Sequence, residues 1–383
     1  MKISNTFLTV AVLGLVLSAC TGGGEAPPSA FPGIILDGTS AYLSSNLHVY
    51  KFDAKTGTEG WRFPPANATA TREEPLPGPF SGQPLKFGDV IVVGDSTGRS
   101  SANHSLYGLK ESDGSVAWRF TQGKKEYTDG VATDGKLIYA PNGDGTLYAI
   151  DPNQKEGNAP KLVWKFETQN KLWTRPLVAN GVVYQSALDH HLYAIDAATG
   201  KEIWKFKADA PIGAQPTLIN DILYFGSFDS KFYAIKAADS SKVWEQAVDG
   251  WIWNNPLIED GTIYIANVRG AVFALNQADG KIKWKADVSD TVHAQPVRQG
   301  NQLFIMSMNT YAYVIDLKAT PENGVMKAEI FNDKMARRLL STPVLVDSNL
   351  LVPLFDGDVK VARVNLASKL NEAFFPQPAP AAK

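Results

Sequence analysis

Apolar and polar residues alternate over short stretches along most of the chain, and one such stretch stands for the rest. In residues 192–206, a β-rich run is followed by turn residues at 196–200 and then by a second apolar run that contains Trp204. Alternation over four to eight residues predicts a half-buried β-strand, and Asp and Gly between two such runs predict a turn. The unit is therefore predicted to be a β-hairpin that holds Trp204 at a fixed offset from Tyr193.

The hairpin recurs every forty residues in the middle of the chain, beginning at Leu192, Phe232 and Val272. Each copy is preceded by two further strand patterns, such as 175–178 and 181–184, so one period holds about four short strands. Four-stranded units at this period are typical of an all-β fold, the β-propeller. Eight blades are predicted, because the third strands begin near positions 47, 106, 147, 192, 232, 272, 312 and 359. Seven is the alternative, if the first and last units join the two termini in one blade.

Six of the nine Trp share one position of the repeat, and blade-to-blade packing is the interpretation of that position. They are Trp61, Trp118, Trp164, Trp204, Trp244 and Trp284. The seventh unit keeps the register at 312–316 but lacks the Trp. In the eighth unit, Phe374 and Phe375 are the candidates for its place.

Two segments interrupt the repeat. Residues 64–80 are rich in Pro and are predicted to form a long loop between blades, and residues 153–160 are a shorter insertion in the third unit. Long loops on a regular scaffold are often binding elements, and the alternative is a tolerated surface excursion.

The N-terminal residues have the pattern of a secreted lipoprotein. An apolar run at 7–17 is too short for a permanent membrane span, and Leu17-Ser18-Ala19-Cys20 resembles a bacterial lipobox. The predictions are a signal peptide at 1–19, lipidation of Cys20 by acyl chains such as palmitate, and a flexible tether at 20–30. An ordinary secretory leader with an incidental Cys is the alternative. Residues 31–375 would form the propeller, and 376–383 a disordered tail.

Charge and cysteine content exclude several classes of protein. The chain has 37 basic and 39 acidic residues, a balance that gives no support for nucleic-acid binding. Cys20 is the only cysteine, so no disulfide can form within the chain, and the five His lack the spacing of a zinc site. Gly143-Asp144-Gly145, Asp356-Gly357-Asp358 and His190-His191 fit turns of the repeat better than phosphate or metal sites. We expect no metal and no cofactor.

Aligning the first strands produces two columns of residues that we expect to line the central channel. The first column is Gln83, Asp129, Arg175, Gln215, Asn255, Gln295 and Thr342. Two residues earlier, on the same face of a strand, the second column is Ser81, Tyr127, Trp173, Gly213, Trp253, His293 and Leu340.

A polar ring below aromatic residues is a candidate surface for a partner or ligand, because aromatic residues and Arg are enriched at binding hot spots. The candidates at the channel mouth are Trp173, Arg175, Gln215, Trp251, Trp253, Asn255, His293 and Gln295. The alternative is that these polar side chains merely face the water of the channel.

The repeated unit resembles the quinoprotein-like (PQQ-like) propeller repeat, (V)YALDAxTGKxxWxF, over residues 31–375. That repeat serves quinone-cofactor dehydrogenases, scaffold lipoproteins and sensor domains, so the fold alone does not fix an activity. With the lipobox, the chain is most similar to the BamB-type outer-membrane assembly lipoproteins. The resemblance implies a propeller that binds the barrel-inserting subunit of the assembly machine. Thr21 after Cys20, by analogy with sorting in two-membrane bacteria, favours the outer membrane, with the propeller facing the periplasm.

Two other functions stand beside this hypothesis of a non-enzymatic scaffold. A lipoprotein that binds a small molecule or a polysaccharide at the channel mouth would use Trp173, Trp251, Trp253 and Arg175. A quinone-dependent dehydrogenase is less favoured. By the resemblance, such an enzyme would be expected to have a vicinal disulfide, a Ca²⁺ site and a catalytic Asp. The chain has one Cys, and Asp129 is the only carboxylate in the first column.

Overall fold

The computed structural model describes residues 31–69, 76–77, 79–95, 104–308, 310–331, 338–354 and 358–376. The predicted signal peptide, Cys20 and the tether lie outside the described residues, as does the predicted tail beyond Pro376. Within those ranges, no helix is long and apolar enough to cross a membrane.

The strands form eight four-stranded antiparallel sheets, and in each sheet the strand order follows the chain. Blades 1 to 4 consist of β1 (Gly33–Asp37), β2 (Ser40–Ser45), β3 (His48–Asp53) and β4 (Glu59–Phe63); β5 (Phe80–Phe87), β6 (Val90–Asp95), β7 (Leu106–Lys110) and β8 (Val116–Phe120); β9 (Ala132–Thr133), β10 (Ile138–Pro141), β11 (Thr146–Glu156) and β12 (Ala159–Glu167); β13 (Leu177–Ala179), β14 (Val182–Ser186), β15 (His191–Asp196) and β16 (Glu202–Lys207).

Blades 5 to 8 repeat the arrangement. They consist of β17 (Thr217–Ile219), β18 (Ile222–Gly226), β19 (Lys231–Lys236) and β20 (Lys242–Ala247); β21 (Leu257–Glu259), β22 (Thr262–Ala266), β23 (Ala271–Asn276) and β24 (Ile282–Asp287); β25 (Val297–Gln299), β26 (Gln302–Met306), β27 (Ala312–Asp316) and β28 (Glu329–Ile330); β29 (Val344–Val346), β30 (Asn349–Pro353), β31 (Val361–Asn365) and β32 (Asn371–Phe375).

The eight-bladed prediction is confirmed, and the seven-bladed alternative is wrong. β29–β32 form a sheet of their own, separate from the sheet of β1–β4, so the termini do not share a blade. The ring closes between blades 8 and 1 by side-chain packing. The ring of Phe375 stacks on Phe52 with centroids 4.3 Å apart, and Arg363 Nη1 donates to the carbonyl of Lys55 at 3.0 Å.

Each hairpin between the third and fourth strands is fixed by its own turn residues. In blade 4, the Asp196 carboxylate accepts from the amide and the hydroxyl of Thr199 at 2.8 and 2.7 Å. Gly200 then adopts φ +71°, a conformation that costs glycine little.

The turn is also the surface on which the preceding blade packs. Trp164 of blade 3 donates its indole N–H to the carbonyl of Ala197 in blade 4 at 3.0 Å. A Cβ at Gly200 would stand 2.6 Å from the Trp164 ring, so the absence of that atom lets the ring lie flat on the turn. The same indole-to-turn hydrogen bond joins Trp61 to Glu111, Trp204 to Ala237 and Trp244 to Gln277.

Blades 7 and 8 lack the Trp, and in blade 7 an exposed Glu stands at its position. Glu329 pairs with Val314 where Trp204 pairs with Ala194 in blade 4. In blade 8, the Phe374 ring lies 3.3 Å from the Cβ that a side chain at Gly57 of blade 1 would have, so Phe374 takes the Trp place.

The connection between the last two strands of blade 7 covers the outer edge of blade 6. Lys285 on β24 donates its amide to Gly324 at 2.9 Å and accepts from the amide of Met326 at 2.7 Å. Met326 is buried in the core between these blades, close to Ala286, where blade 4 has Phe206. A side chain from the neighbouring blade therefore fills the space that the smaller residue leaves.

The insertion at 153–160 is not a loop. Residues 155 and 156 pair with 160 and 159, so the insertion lengthens the β11–β12 hairpin beyond the blade, and Gly157 forms its turn with φ +66°. Most of its side chains are exposed. Of the Pro-rich segment at 64–80, residues 70–75 and 78 lie outside the described residues.

Replacement of Trp164 by Ala is expected to lower the free energy of unfolding by about 3–5 kcal/mol, because it removes a buried ring and leaves a cavity on the turn of blade 4. The neighbouring Val163, which is 42% exposed, is the matched control. Val163→Ala is expected to change stability by no more than about 0.5 kcal/mol. Urea unfolding followed by far-UV circular dichroism measures both. Equal losses in the two variants would contradict the packing role of Trp164.

Candidate binding site at the channel mouth

The first strand of each blade lies innermost. Gln83 of blade 2 forms a parallel bridge with Gly130 of blade 3, and β1 contacts the first strands of both neighbouring blades, β5 and β29. Around the start of β13, burial alternates: Leu172 and Thr174 are buried between blades, whereas Trp173 and Arg175 are partly exposed. One face of each innermost segment therefore turns toward the axis.

Residues of the first column join the blades by hydrogen bonds, between neighbours or, for Arg175 and Gln83, across blade 3. The guanidinium of Arg175 donates to the side-chain oxygens of Gln83 and, at 3.3 Å, Gln215. The side-chain oxygen of Gln215 also accepts from Asn255 Nδ2 at 3.0 Å, and the main-chain amide of Gln295 donates to Thr342 Oγ1 at 3.0 Å. We call Gln83, Asp129, Arg175, Gln215, Asn255, Gln295 and Thr342 the polar ring.

Three Gln side chains repeat one further contact. In each case Nε2 donates to a main-chain carbonyl of the preceding blade. The pairs are Gln83 with Ile34, Gln215 with Pro176 and Gln295 with Pro256, at 3.0–3.1 Å. Much of the hydrogen-bonding capacity of the polar ring is thus spent on holding blades together.

Asp129 brings the negative charge of the ring next to Arg175. Its carboxylate accepts from the main-chain amide of Arg175 at 3.1 Å. The side chain of Asp129 is exposed, yet the protein atoms around it desolvate the carboxylate and raise its pKa above the usual value, and attraction to Arg175 opposes part of that rise. Blade 3 is irregular here: Ala132 pairs with Tyr139 as Leu177 pairs with Tyr184, which puts Gly130, at φ +101°, in register with Arg175. Asp129 is one residue off the column in which we aligned it.

Above the polar ring lies a continuous set of aromatic rings. Trp173 and Trp253 have centroids 5.8 Å apart, Phe228 stacks on Trp251 at 5.2 Å and on Trp253 at 5.1 Å, and His293 meets Trp253 edge-on at 5.2 Å. At the end of the set, Phe31 stacks on His293 at 5.9 Å. We call Phe31, Trp173, Phe228, Trp251, Trp253 and His293 the aromatic mouth.

Phe228 and Phe31 are members that the sequence analysis missed. Phe228 is on the turn between β18 and β19, and its ring fills the space of a side chain at Gly213, where even a Cβ would overlap it. Gly213 stands between Trp173 and Trp253 in the second column, and this gap among large residues was the signal that another ring could occupy the space. Phe31 is the second-column residue of blade 1, because Ile35 pairs with Tyr42 as Leu177 pairs with Tyr184.

The rest of the second column stays out of the aromatic mouth. Tyr127 is fully buried, Ser81 donates to the carbonyl of Tyr127 at 3.2 Å, and Leu340 is 6% exposed. The aromatic surface is therefore one-sided, extending over blades 4 to 7 and reaching blade 1.

The two ends of the aromatic mouth differ in their polar surroundings. Lys171 Nζ is 5.8 Å from the Trp173 ring centroid and pairs with Glu126 at 3.3 Å. At the other end, burial lowers the pKa of His293 to about 4, against a weaker opposing effect of Asp290, and Nδ1 of His293 is buried without a hydrogen-bond partner. His293 is neutral at physiological pH.

The acidic turns around the mouth bond Tyr hydroxyls. Asp144, Asp189 and Asp229 accept from Tyr148, Tyr193 and Tyr233 at 2.6–2.9 Å. Asp144 and burial raise the pKa of Tyr148 to about 12. Of the predicted turn pair His190-His191, His190 lies in the turn with φ +75°, whereas His191 begins β15 and its Nδ1 is 3.2 Å from Asp189 Oδ1. Across the described ranges, no three His, Cys, Asp or Glu side chains form a group that could hold a metal ion; residues 355–357, which include part of Asp356-Gly357-Asp358, are outside them.

Comparison with known proteins links the chain to one family. Residues 102–214 and 189–313 match the family model described as outer membrane protein assembly factor BamB. The two matches together cover more than half of the chain. The outer membrane protein assembly factor BamB of Burkholderia pseudomallei (strain K96243) is 28% identical over 125 residues. That alignment covers 33% of this chain and 29% of the relative's length.

Two solved structures have a similar fold. The crystal structure of BamB from Moraxella catarrhalis has a TM-score of 0.64 at 16% identity, and the match covers 85% of this chain and 91% of that chain. The computationally designed Ika8 protein has a TM-score of 0.66 at 13% identity, with coverage of 88% and 97%. At these identities the likeness shows the fold alone.

The lowered pKa of His293 makes stability depend on pH. The unfolded chain takes up the proton near pH 6.5 and the folded chain only near pH 4, so the free energy of unfolding falls as the pH decreases through that window. Relative to His293→Phe, which keeps a ring but cannot titrate, the wild type should lose about 2–3 kcal/mol between pH 7.5 and 4.5. Urea titrations at both pH values measure the difference. A pH-independent difference would show that His293 is not desolvated.

Proposed function

The chain belongs to the family of the outer membrane protein assembly factor BamB, and on this basis we propose that it is a non-enzymatic, lipid-anchored scaffold that binds a protein partner in outer-membrane protein assembly. The partner we propose is a subunit of the barrel-assembly machine. The proposed location is the periplasmic side of the outer membrane, with the membrane reached only through the lipid on Cys20.

The observation that carries this proposal is the aromatic mouth. Trp173, Trp251 and Trp253 are partly exposed, yet they are stacked against one another and through Phe228, so their ring faces are held in place before any partner arrives. Large, preorganised aromatic surface loses little conformational entropy on binding, and Trp is among the residues most enriched at interface hot spots.

The polar ring supports a protein partner over a sugar or a small polar ligand. Such ligands are oriented by convergent polar groups beside the apolar surface. Here Arg175, Gln215 and Asn255 bond one another, and the Nε2 groups of Gln215 and Gln295 bond main-chain carbonyls. A ligand would have to break contacts between blades to use them, whereas apolar side chains can pack on the rings at no such cost.

The same arrangement supports binding over catalysis. A reaction needs groups that converge on a reacting atom. The carboxylate of Asp129 instead accepts from the amide of Arg175, and the neighbouring side chains form a belt around the axis.

The place where the chain enters the propeller supports the anchored arrangement. Phe31 is in contact with His293 of the aromatic mouth, so the segment that would carry the lipid on Cys20 joins the propeller on the face that bears the mouth. Several acyl chains together give stable membrane attachment, at about 0.8 kcal/mol per buried CH₂.

The test is recovery of the natively anchored protein from its own membranes after crosslinking. Trp251→Ala with Trp253→Ala should reduce co-recovery of a barrel-assembly subunit at least about tenfold, the effect of losing about 1.4 kcal/mol or more of binding free energy. Ile203→Ala with Val243→Ala is the matched control, because these residues are 51% and 44% exposed on the outer strands of blades 4 and 5. The control should leave recovery unchanged.

Unchanged recovery with the Trp pair removed, in a protein that keeps its circular dichroism spectrum, would contradict the proposal. Quenching of Trp fluorescence by a polysaccharide or small molecule, lost in the same double variant, would favour the ligand-binding function.

A further inference from the structure

Phe31, two residues before β1, lies on the proposed binding surface. Phe31 stacks on His293 with an interplanar angle of 27°, and His293 in turn contacts Trp253. By strand register Phe31 occupies in blade 1 the position that Trp173 has in blade 4. Phe31 therefore extends the second column to blade 1, whereas the alignment of the sequence began that column at Ser81 in blade 2.

Main-chain groups hold Phe31 in this place. Its carbonyl accepts from the amide of Gly82 in blade 2 at 2.8 Å, and the carbonyl of Pro32 accepts from Ser341 Oγ of blade 8. Gly33 follows, where any Cβ would overlap the backbone at Gly82. The seat depends on backbone atoms of Phe31, so the phenyl ring can be removed without removing these bonds.

This end of the aromatic mouth differs chemically from the end at Trp173. Lys171 and Glu126 place opposite charges beside Trp173, whereas the rings around His293 are uncharged because burial keeps the imidazole neutral. The surface of Phe31, His293 and Trp253 is suited to an uncharged aliphatic, aromatic or prolyl side chain.

We propose that Phe31 is a binding residue of the aromatic mouth, and that the partner packs an uncharged apolar side chain of an exposed protein segment against Phe31, His293 and Trp253. This inference rests on the proposed function. If it holds, Phe31, at the end of the segment proposed to carry the lipid, is part of the surface that binds the partner. If the position of Phe31 on His293 changes the affinity for the partner by some factor, then partner binding shifts the equilibrium toward that position by the same factor.

Phe31→Ala tests the inference, with Phe31→Trp as rescue and Leu370→Ala as control. Leu370 is 70% exposed before the outer strand of blade 8 and away from the mouth. In the crosslinking assay, Phe31→Ala should reduce co-recovery of the barrel-assembly subunit about fivefold or more, the effect of losing about 1 kcal/mol or more of binding free energy. Phe31→Trp should restore it, and Leu370→Ala should leave it unchanged.

A second measurement needs no partner. Removal of the phenyl ring opens His293 to water, so the pKa of His293, followed by NMR of the full chain in detergent micelles, should rise in Phe31→Ala from about 4 toward the usual 6.5. Phe31→Trp should keep it low. An unchanged pKa of His293 would overturn the contact on which the inference rests.

The failures of the two proposals differ. Normal recovery with Phe31→Ala, together with loss in the Trp251 and Trp253 double variant, overturns the role of Phe31 and leaves the proposed function standing. Normal recovery with both sets of variants overturns both.

Discussion

The structure depends on one contact, the packing of an aromatic side chain from the fourth strand of a blade on the glycine turn of the next blade. A four-stranded blade cannot bury its apolar face alone, and a propeller is stable only because neighbouring blades cover one another. Trp164 shows the two components of this contact: a ring that fits because Gly200 has no Cβ, and an indole N–H that satisfies the carbonyl of Ala197. The contact fixes how blade 3 packs on blade 4.

The channel mouth follows from that geometry. Once the blades are fixed, their first strands meet near the axis, and polar side chains there bond across blade boundaries. The bond from Gln215 of blade 5 to Pro176 of blade 4 is repeated by the bond from Gln295 of blade 7 to Pro256 of blade 6. The aromatic rings above this belt lie on segments that the belt holds in place. A rigid surface of this kind can bind without the ordering cost that a loop would incur.

The repeat made most of the fold predictable, and departures from the repeat account for what was missed. Blade number and strand position followed from the regular spacing of alternating runs. Phe228 was missed because it reaches the mouth from a turn that is distant from Gly213 in sequence. Met326 of blade 7 belongs to the same core cluster as the small Ala286 of blade 6. The hydrophobic pattern of a single segment cannot show a contact of this kind between blades. The insertion at 153–160 was predicted, but its pairing as an extension of the β11–β12 hairpin was not, because its exposed polar residues lack the alternation of a half-buried strand.

The central claim is that the aromatic mouth, and no other face of the propeller, contacts a protein of the outer-membrane assembly machinery. The most direct measurement places the photocrosslinker p-benzoylphenylalanine at position 251 in one protein and at position 203 in another, each expressed at native level and irradiated in intact cells. The account predicts an adduct with a barrel-assembly subunit from position 251 and none from 203, where the side chain lies on the outer strand β16. An adduct from position 203 with none from 251 would contradict it.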